Sequence, residues 1–460
     1  MREFWSEAAG LVWGPATVAL LMGTGIYLSI RIRFTHLRKF YLGCKCAFQS
    51  AAGKQAGDAD VPGMISPWQS MMTMLCGAIG NGNIAGVSTA IAVGGPGAIF
   101  WMWACGLFAM AIKYSEAILG LRYRAPLPGG GTGGGPMYYL RNGVRSPLLA
   151  WLFAFLAGMA AMTTGPLAQT NSMALALNTA FGVPQWFSGA VIALAVWLVV
   201  IGGIKSIARF AEKLVPLKII IYVGGSLYVI FAHAQLLPQT IALIFKSAFT
   251  PTAAAGGFAG ASVLLAARLG AARGLYANEA GLGTAGMAYG AARSLSPVRQ
   301  GLIAMVDVFI ITFVTCTMTA LVVTVTGKWI DRSPDLLSTA LVAAAFNTSI
   351  PVIGSWMVAV SSTLFGYSNL VGWSYYGELC FGYIFRTNVL KAYAWIYCGL
   401  IFVGAIIGVR VVWDYADTMN GLQIFPNLIA LLILAPQVVA VTRSYFSRDS
   451  KEQTVPGCEL

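Results

Sequence analysis

Eleven stretches of this chain are apolar over about 20 residues or more, at roughly 8–31, 66–92, 97–121, 147–180, 185–204, 214–235, 257–291, 297–327, 351–384, 390–409 and 419–442. A helix of ~20 residues rising 1.5 Å each crosses ~30 Å of hydrocarbon, so a chain written this way must thread a bilayer many times. Composition closes off the soluble alternatives: 58% of the residues are hydrophobic and 10% charged, against about 25% charged in an average soluble domain. The expectation is an all-α polytopic membrane protein with about eleven transmembrane helices. The first stretch is long, is followed by basic residues and lacks a small-residue cleavage site, which predicts a span and not a removed signal peptide.

The net charge of +13 follows the same topology. With the N-terminus outside, 21 of the 29 cations fall in inside-facing segments or span ends, among them Arg31, Lys39, Lys54, Arg124, Lys205, Lys218, Arg293, Arg443 and Lys451. Five lie outside (Arg2, Lys246, Lys328, Arg332, Arg410) and three within spans (Lys113, Arg268, Arg273). Cytoplasmic loops collect Lys and Arg, so this asymmetry predicts N-out, C-in insertion in the cell membrane and needs no nucleic-acid partner. The eight cysteines, Cys458 the last, form no CxxC or Cys/His cluster and read as reduced and structural. The loop Gly129–Pro136 lacks the Lys-Ser/Thr of a phosphate cradle and reads as a flexible cytoplasmic connection.

Function is sought where polar and helix-breaking residues enter the membrane, because they are costly there. The second stretch holds four glycines and two asparagines in the ten positions from Gly77 to Gly86. Unwinding at that point frees main-chain N–H groups for a carboxylate and carbonyls for a cation. The seventh stretch opens with Gly256, Gly257 and Gly260 and breaks over Arg273–Gly283, carrying Arg273, Asn278 and Glu279 to membrane depth. Glu279 reads either as half of a structural Arg–Glu pair or as a ligand. Two broken helices five spans apart fit two five-helix halves related by a pseudo-two-fold axis. Of the other intramembrane acids, Glu116, Asp307 and Glu378, the first forms an i,i+3 pair with Lys113 that reads as structural. His36 and His233 lie away from both breaks. No ATP-binding motif, HExxH or Ser/His/Asp set is present, which points away from an enzyme and toward an ion gradient as the driving force.

The runs GNGNIAGVSTAIAVGGPGAIFWMW (80–103), GGPMYYL (134–140), GFAGASVLLAARLGAARGLYANEAGLGTA (257–285) and GWSYYGE (372–378) resemble those of the alanine/glycine:cation symporter family. The resemblance implies a leucine-transporter-type 5+5 inverted-repeat fold behind one extra N-terminal helix. Its parts would be that helix and a basic segment (1–65), the two five-helix repeats (66–235 and 236–442) and a cytoplasmic tail (443–460). It also implies sodium- or proton-driven uptake of a small neutral amino acid, alanine or glycine, with sodium the leading ion and no cofactor beyond the ion. The alternatives are proton coupling through Glu279 or Glu378 and, further off, a membrane protein that does not transport.

Carried over, Gly80, Asn81, Gly82 and Asn83 would hold the substrate carboxylate. Gln169 and Trp373 would supply a pocket amide and indole, and Tyr276 and Asn278 the wall at the second break. Sodium would lie between the carbonyls of Cys76 and Ile79 and the side chains of Ser368 and Asn369, with Asn83 also in reach. The family typically has Thr where Asn81 and Asn369 stand; Asn keeps an oxygen ligand and adds NH2 donors.

Overall fold

The computed structural model describes residues 2–53, 63–127, 130–250, 263–331, 338–386, 390–407 and 409–449. Lys54, Gly129, the Gly256–Gly260 opening, Arg332, Lys451 and Cys458 lie outside them. The chain is helical almost throughout, as backbone polar groups that must pair without water require. In order the helices are α1 (Arg2–Val12), α2 (Pro15–Arg31), α3 (Thr35–Arg38), α4 (Phe40–Ala51), α5 (Pro67–Ala78), α6 (Ala85–Gly94) and α7 (Gly97–Arg122). Then come α8 (Pro136–Asn142), α9 (Pro147–Thr163), α10 (Thr170–Phe181), α11 (Gln185–Val200), α12 (Gly203–Ala232), α13 (Leu237–Phe249) and α14 (Val263–Asn278). The last are α15 (Thr284–Gly290), α16 (Pro297–Val308), α17 (Thr317–Val325), α18 (Thr339–Asn347), α19 (Ile353–Phe385), α20 (Leu390–Ile406) and α21 (Val409–Asp449). The ladder β1 (Ala125–Pro126) with β2 (Thr132–Gly133) is antiparallel.

Six helical stretches among the described residues are long and apolar enough to cross a membrane: Glu3–Arg31, Gly97–Arg122, Pro147–Phe181, Gly203–Ala232, Pro297–Val325 and Asp414–Ser447. Two of them contain π-helical turns, Thr164–Gln169 and Phe309–Cys316. The first of these holds Gly165 and Pro166, and a proline without an N–H is a cause of such a departure. The second and seventh expected spans are divided, into α5 and α6 and into α14 and α15.

Two expectations are corrected. The sixth expected span begins at 214, but α12 starts eleven residues earlier and runs 30 residues through Pro216. Lys205, Arg209, Glu212 and Lys213 lower its hydropathy yet favour helix. Lys218, counted above as an inside-facing cation, is thereby carried into the interior and is fully buried. The glycine loop is also not a free connection along its whole length. Gly130 and Gly131 are exposed, whereas Gly133, Gly134 and Gly135 are buried. A Cβ on Gly290 of α15 would stand 2.5 Å from the Gly134 Cα, so backbone lies on backbone there and no side chain can replace either hydrogen.

Candidate functional site

The first break is written into its flanking residues. Ser66 caps α5 by accepting from the Gln69 N–H at 3.1 Å while its own N–H donates to Gln69 Oε1 at 3.1 Å, and Pro67 occupies the first turn. The helix ends at Ala78; Gly80 is extended, Asn81–Asn83 makes one 3-10 turn, and α6 restarts at Ala85. Asn83 Nδ2 donates to the Ala78 and Gly80 carbonyls at 3.0 and 3.2 Å, which occupies acceptors the broken helix leaves behind. The Asn83 carboxamide oxygen accepts from Cys316 Sγ at 3.1 Å, and its main-chain carbonyl from Thr319 Oγ1 at 2.9 Å. Asn81 is tied twice: its N–H donates to Gln169 Oε1 at 3.1 Å and its Oδ1 accepts from Ser362 Oγ at 2.7 Å.

At the second break α14 ends on Asn278, and Glu279 (φ +58°), Gly281 (φ +90°) and Gly283 (φ +82°) turn the chain in left-handed conformations. Glycine suits that region; Glu279 is held in it against ordinary sterics. Asn278 does not line the cavity described below. Its Nδ2 donates to Thr312 Oγ1 at 3.2 Å and its Oδ1 accepts the Ala280 N–H at 3.0 Å. The N–H groups of Gly281 and Gly283, just ahead of α15, donate to Glu116 Oε1 at 3.0 and 3.1 Å, and Asn427 Nδ2 adds a third bond to the same oxygen at 2.7 Å. A carboxylate at a helix N-terminus is the favourable sign. The i,i+3 reading of Lys113 and Glu116 is therefore revised. Lys113 pairs with Asp307 at 3.8 Å, both fully buried, and Tyr289 OH donates to Asp307 at 3.0 Å. Arg273, which needed a partner, stands 5.9 Å from the centre of the Tyr276 ring.

Both breaks meet around one cavity of about 20 Å³, room for about one water. Gly80, Gly82 and Asn83 form one wall, Gln169 and Asn369 the flanks, and Tyr276, Glu279 and Trp373 the other wall. The Trp373 indole donates to Glu279 Oε1 at 3.0 Å, so the ring is fixed by the second break and not by packing alone. Asn369 Nδ2 donates to the Gly77 carbonyl. Thr164 and Asn420 also line it and are bonded to each other. Sequence reasoning missed Asn420, although Asn420, Gln423 and Asn427 stand at i, i+3 and i+7 on one face of an apolar span, a pattern that marks a polar seam.

The remaining expected ion ligands surround a side chain. Lys218 Nζ donates to the Ile79 carbonyl at 2.8 Å, to the Leu75 carbonyl at 3.5 Å and to Ser368 Oγ. Cys76 Sγ donates to the Ser368 carbonyl at 3.1 Å.

Separate from the small cavity is an open recess of about 830 Å³ lined by Gln69, Lys205, Arg209, Arg293, Tyr375 and Glu378, which begins two residues beyond Trp373 along α19.

Comparisons with known proteins agree with this architecture. A family model described as the sodium:alanine symporter family matches residues 1–458. The sodium/alanine symporter AgcS of Methanococcus maripaludis is 39% identical over 94% of this chain and 95% of its own length. The Bacillus subtilis protein named probable sodium/glutamine symporter GlnT is 33% identical over 95% of this chain and 89% of its own. Among solved structures, a manganese transporter mutant of Eremococcus coleocola superposes with a TM-score of 0.51 at 17% identity, covering 84% of this chain and 82% of that one, a likeness of fold.

Proposed function

The chain belongs to the sodium:alanine symporter family, and from that premise we propose that it imports small neutral amino acids, alanine and glycine foremost, by symport with sodium. The observation that carries the reading is the meeting of two broken helices at one small cavity. The N-terminal end of α6 offers N–H groups and a positive dipole end to a substrate carboxylate. Gln169, already bonded to the break, and Trp373 close on its other sides. The sodium ion belongs on the Asn83 side, where a carboxamide oxygen and the substrate carboxylate share one ligand shell. Binding either then organises the break for the other, which is the coupling symport needs.

The five-plus-five arrangement (66–235 and 236–442, within about eleven spans) and the N-out orientation are parts of the same proposal. They rest on the spacing of the breaks and on the cation asymmetry. A cavity of about 20 Å³ is smaller than any amino acid, so its walls part on binding, as rocking of one half against the other allows. Proton coupling is the second reading, favoured by the placement of the Glu279 carboxylate in the cavity wall. Alanine uptake into proteoliposomes under an imposed sodium or proton gradient separates the two. Alanine affinity is expected to rise with sodium; equal affinity in sodium and choline rejects sodium coupling.

A further inference from the structure

The carbonyl end of α5 is the place where the negative pole of a helix meets the membrane interior, and a free cation is the obvious occupant. The chain has put its own there. Lys218 reaches from α12 with three donors and no acceptor, and three oxygens meet it: the Ile79 carbonyl at 2.8 Å, the Leu75 carbonyl at 3.5 Å and Ser368 Oγ. Ser368 is oriented for this, since its hydroxyl donates to the Phe365 carbonyl at 2.9 Å and is left to accept from the ammonium. The Phe365 ring centre lies 5.4 Å from the nitrogen. Among the described residues no carboxylate pairs with Lys218. The titratable group facing it from α5 is the Cys76 thiol, itself bonded to the Ser368 carbonyl, and one turn along α12 Tyr222 is bonded to Thr319 of α17 at 2.6 Å.

We propose that Lys218 is a tethered cation that replaces a free metal ion at this end of the first break, latching α12 to α5 and α19, so that the coupling sodium binds on the Asn83 side alone. The chemistry is specific. An ammonium satisfied by carbonyls and a hydroxyl carries the charge that a bound sodium would bring, but it cannot dissociate. The nitrogen therefore stays at the hinge without exchanging with ions in solution, and one ion position of the site is taken by a side chain. Bare burial of a lysine is costly without partners, which argues that the latch is what keeps it there.

The test uses the purified full-length protein, and its stability measurements do not depend on the symport reading. Lys218→Ala frees the Leu75, Ile79 and Ser368 oxygens. Its melting temperature in sodium chloride, against choline chloride at equal ionic strength, is expected to rise by several degrees more than that of the wild type. The extra rise is expected to vanish in Lys218→Ala/Ser368→Ala. A Lys218→Ala protein recovered folded in sodium alone counts in the same direction. A sodium response no larger than that of the wild type overturns the proposal, as does an extra response that survives loss of Ser368. Lys218→Met keeps the bulk and removes the charge; alanine uptake is expected to fall at least tenfold, and unchanged uptake overturns the latch. If the wild type moves no alanine under either gradient, the symport reading fails while the melting measurements still decide the role of Lys218.

Discussion

Replacing Trp373 in two ways separates what its ring does from what its N–H does. The side chain is 2% exposed, its indole donates to Glu279 Oε1 at 3.0 Å and the Tyr376 ring meets it edge-on at 5.7 Å. Trp373→Phe keeps most of the ring and deletes the donor. Losing a hydrogen bond to a buried carboxyl group costs up to ~1.5–3 kcal/mol of stability; the part of it that orients the ring for substrate sets the fall in alanine affinity, with about one to two decades as its upper bound at ~1.4 kcal/mol per decade. Size ranking should hardly change in that variant. Trp373→Ala deletes the donor and also opens the wall. A methylene in an apolar pocket is worth ~1–3 kcal/mol, so leucine and methionine are expected to gain at least tenfold relative to alanine. The assay is uptake of labelled alanine into proteoliposomes with unlabelled competitors, run beside a melting curve, because truncating a buried tryptophan costs ~3–5 kcal/mol of stability. A folded Trp373→Ala protein with an unchanged ranking removes Trp373 from the site. A Trp373→Phe protein with wild-type alanine affinity refutes the role given to the bond with Glu279.

Four more outcomes are expected. Glu116→Gln weakens three charge-assisted bonds by ~1 kcal/mol each, lowering the melting temperature and loosening the second break; full stability in that variant would mean that Glu116 is uncharged in place. Gly372→Ala puts a Cβ 2.5 Å from the backbone of Gly77 and is expected to cost ~1–3 kcal/mol or more, whereas Gly399→Ala, inside α20 with open space around it, is expected to be neutral or to stabilise by up to ~1 kcal/mol; equal effects would refute the close contact of α5 and α19. His36 lies outside the membrane-spanning stretches, buried with neither ring nitrogen bonded, and burial pushes its pKa down to about 4. The folded protein keeps it neutral while the unfolded chain protonates near 6.5, so stability is intact above that pH and falls by at most about 3 kcal/mol toward pH 4; His36→Leu should flatten this acid slope in pH-dependent melting. Cys44, partly exposed on α4, is expected to resist membrane-impermeant thiol reagents on intact cells, and labelling from outside in an otherwise Cys-free variant would reverse the proposed orientation.

The two breaks were legible because glycine and asparagine at membrane depth leave few ordinary explanations, and Gly80, Asn83, Gln169, Tyr276 and Trp373 do line one cavity. Lys218 was not legible in the same way. Hydropathy and the inside excess of cations treat a lysine near a basic run as a span end, and only the early start of α12 reveals that it is buried. Helix periodicity pairs Glu116 with Lys113, a rule that knows neighbours on one helix but not the Gly281 and Gly283 N–H groups that arrive from the turn before α15. Asn278 shows the converse. Its sequence position beside the break is right for a ligand, yet its side chain is used up holding the turn.

The disparity between the recess beside Glu378, about 830 Å³, and the cavity beyond Trp373, about 20 Å³, bears on pharmacology. A volume near 800 Å³ is in the range of pockets that hold drug-sized molecules, whereas the inner cavity must part its walls even for an amino acid. An inhibitor aimed at this protein therefore need not resemble an amino acid. It can plug the recess, where Lys205, Arg209 and Arg293 favour an anionic compound, and its block would be sided: strong from the face on which the recess opens, absent from the other, and the same whichever amino acid is being carried.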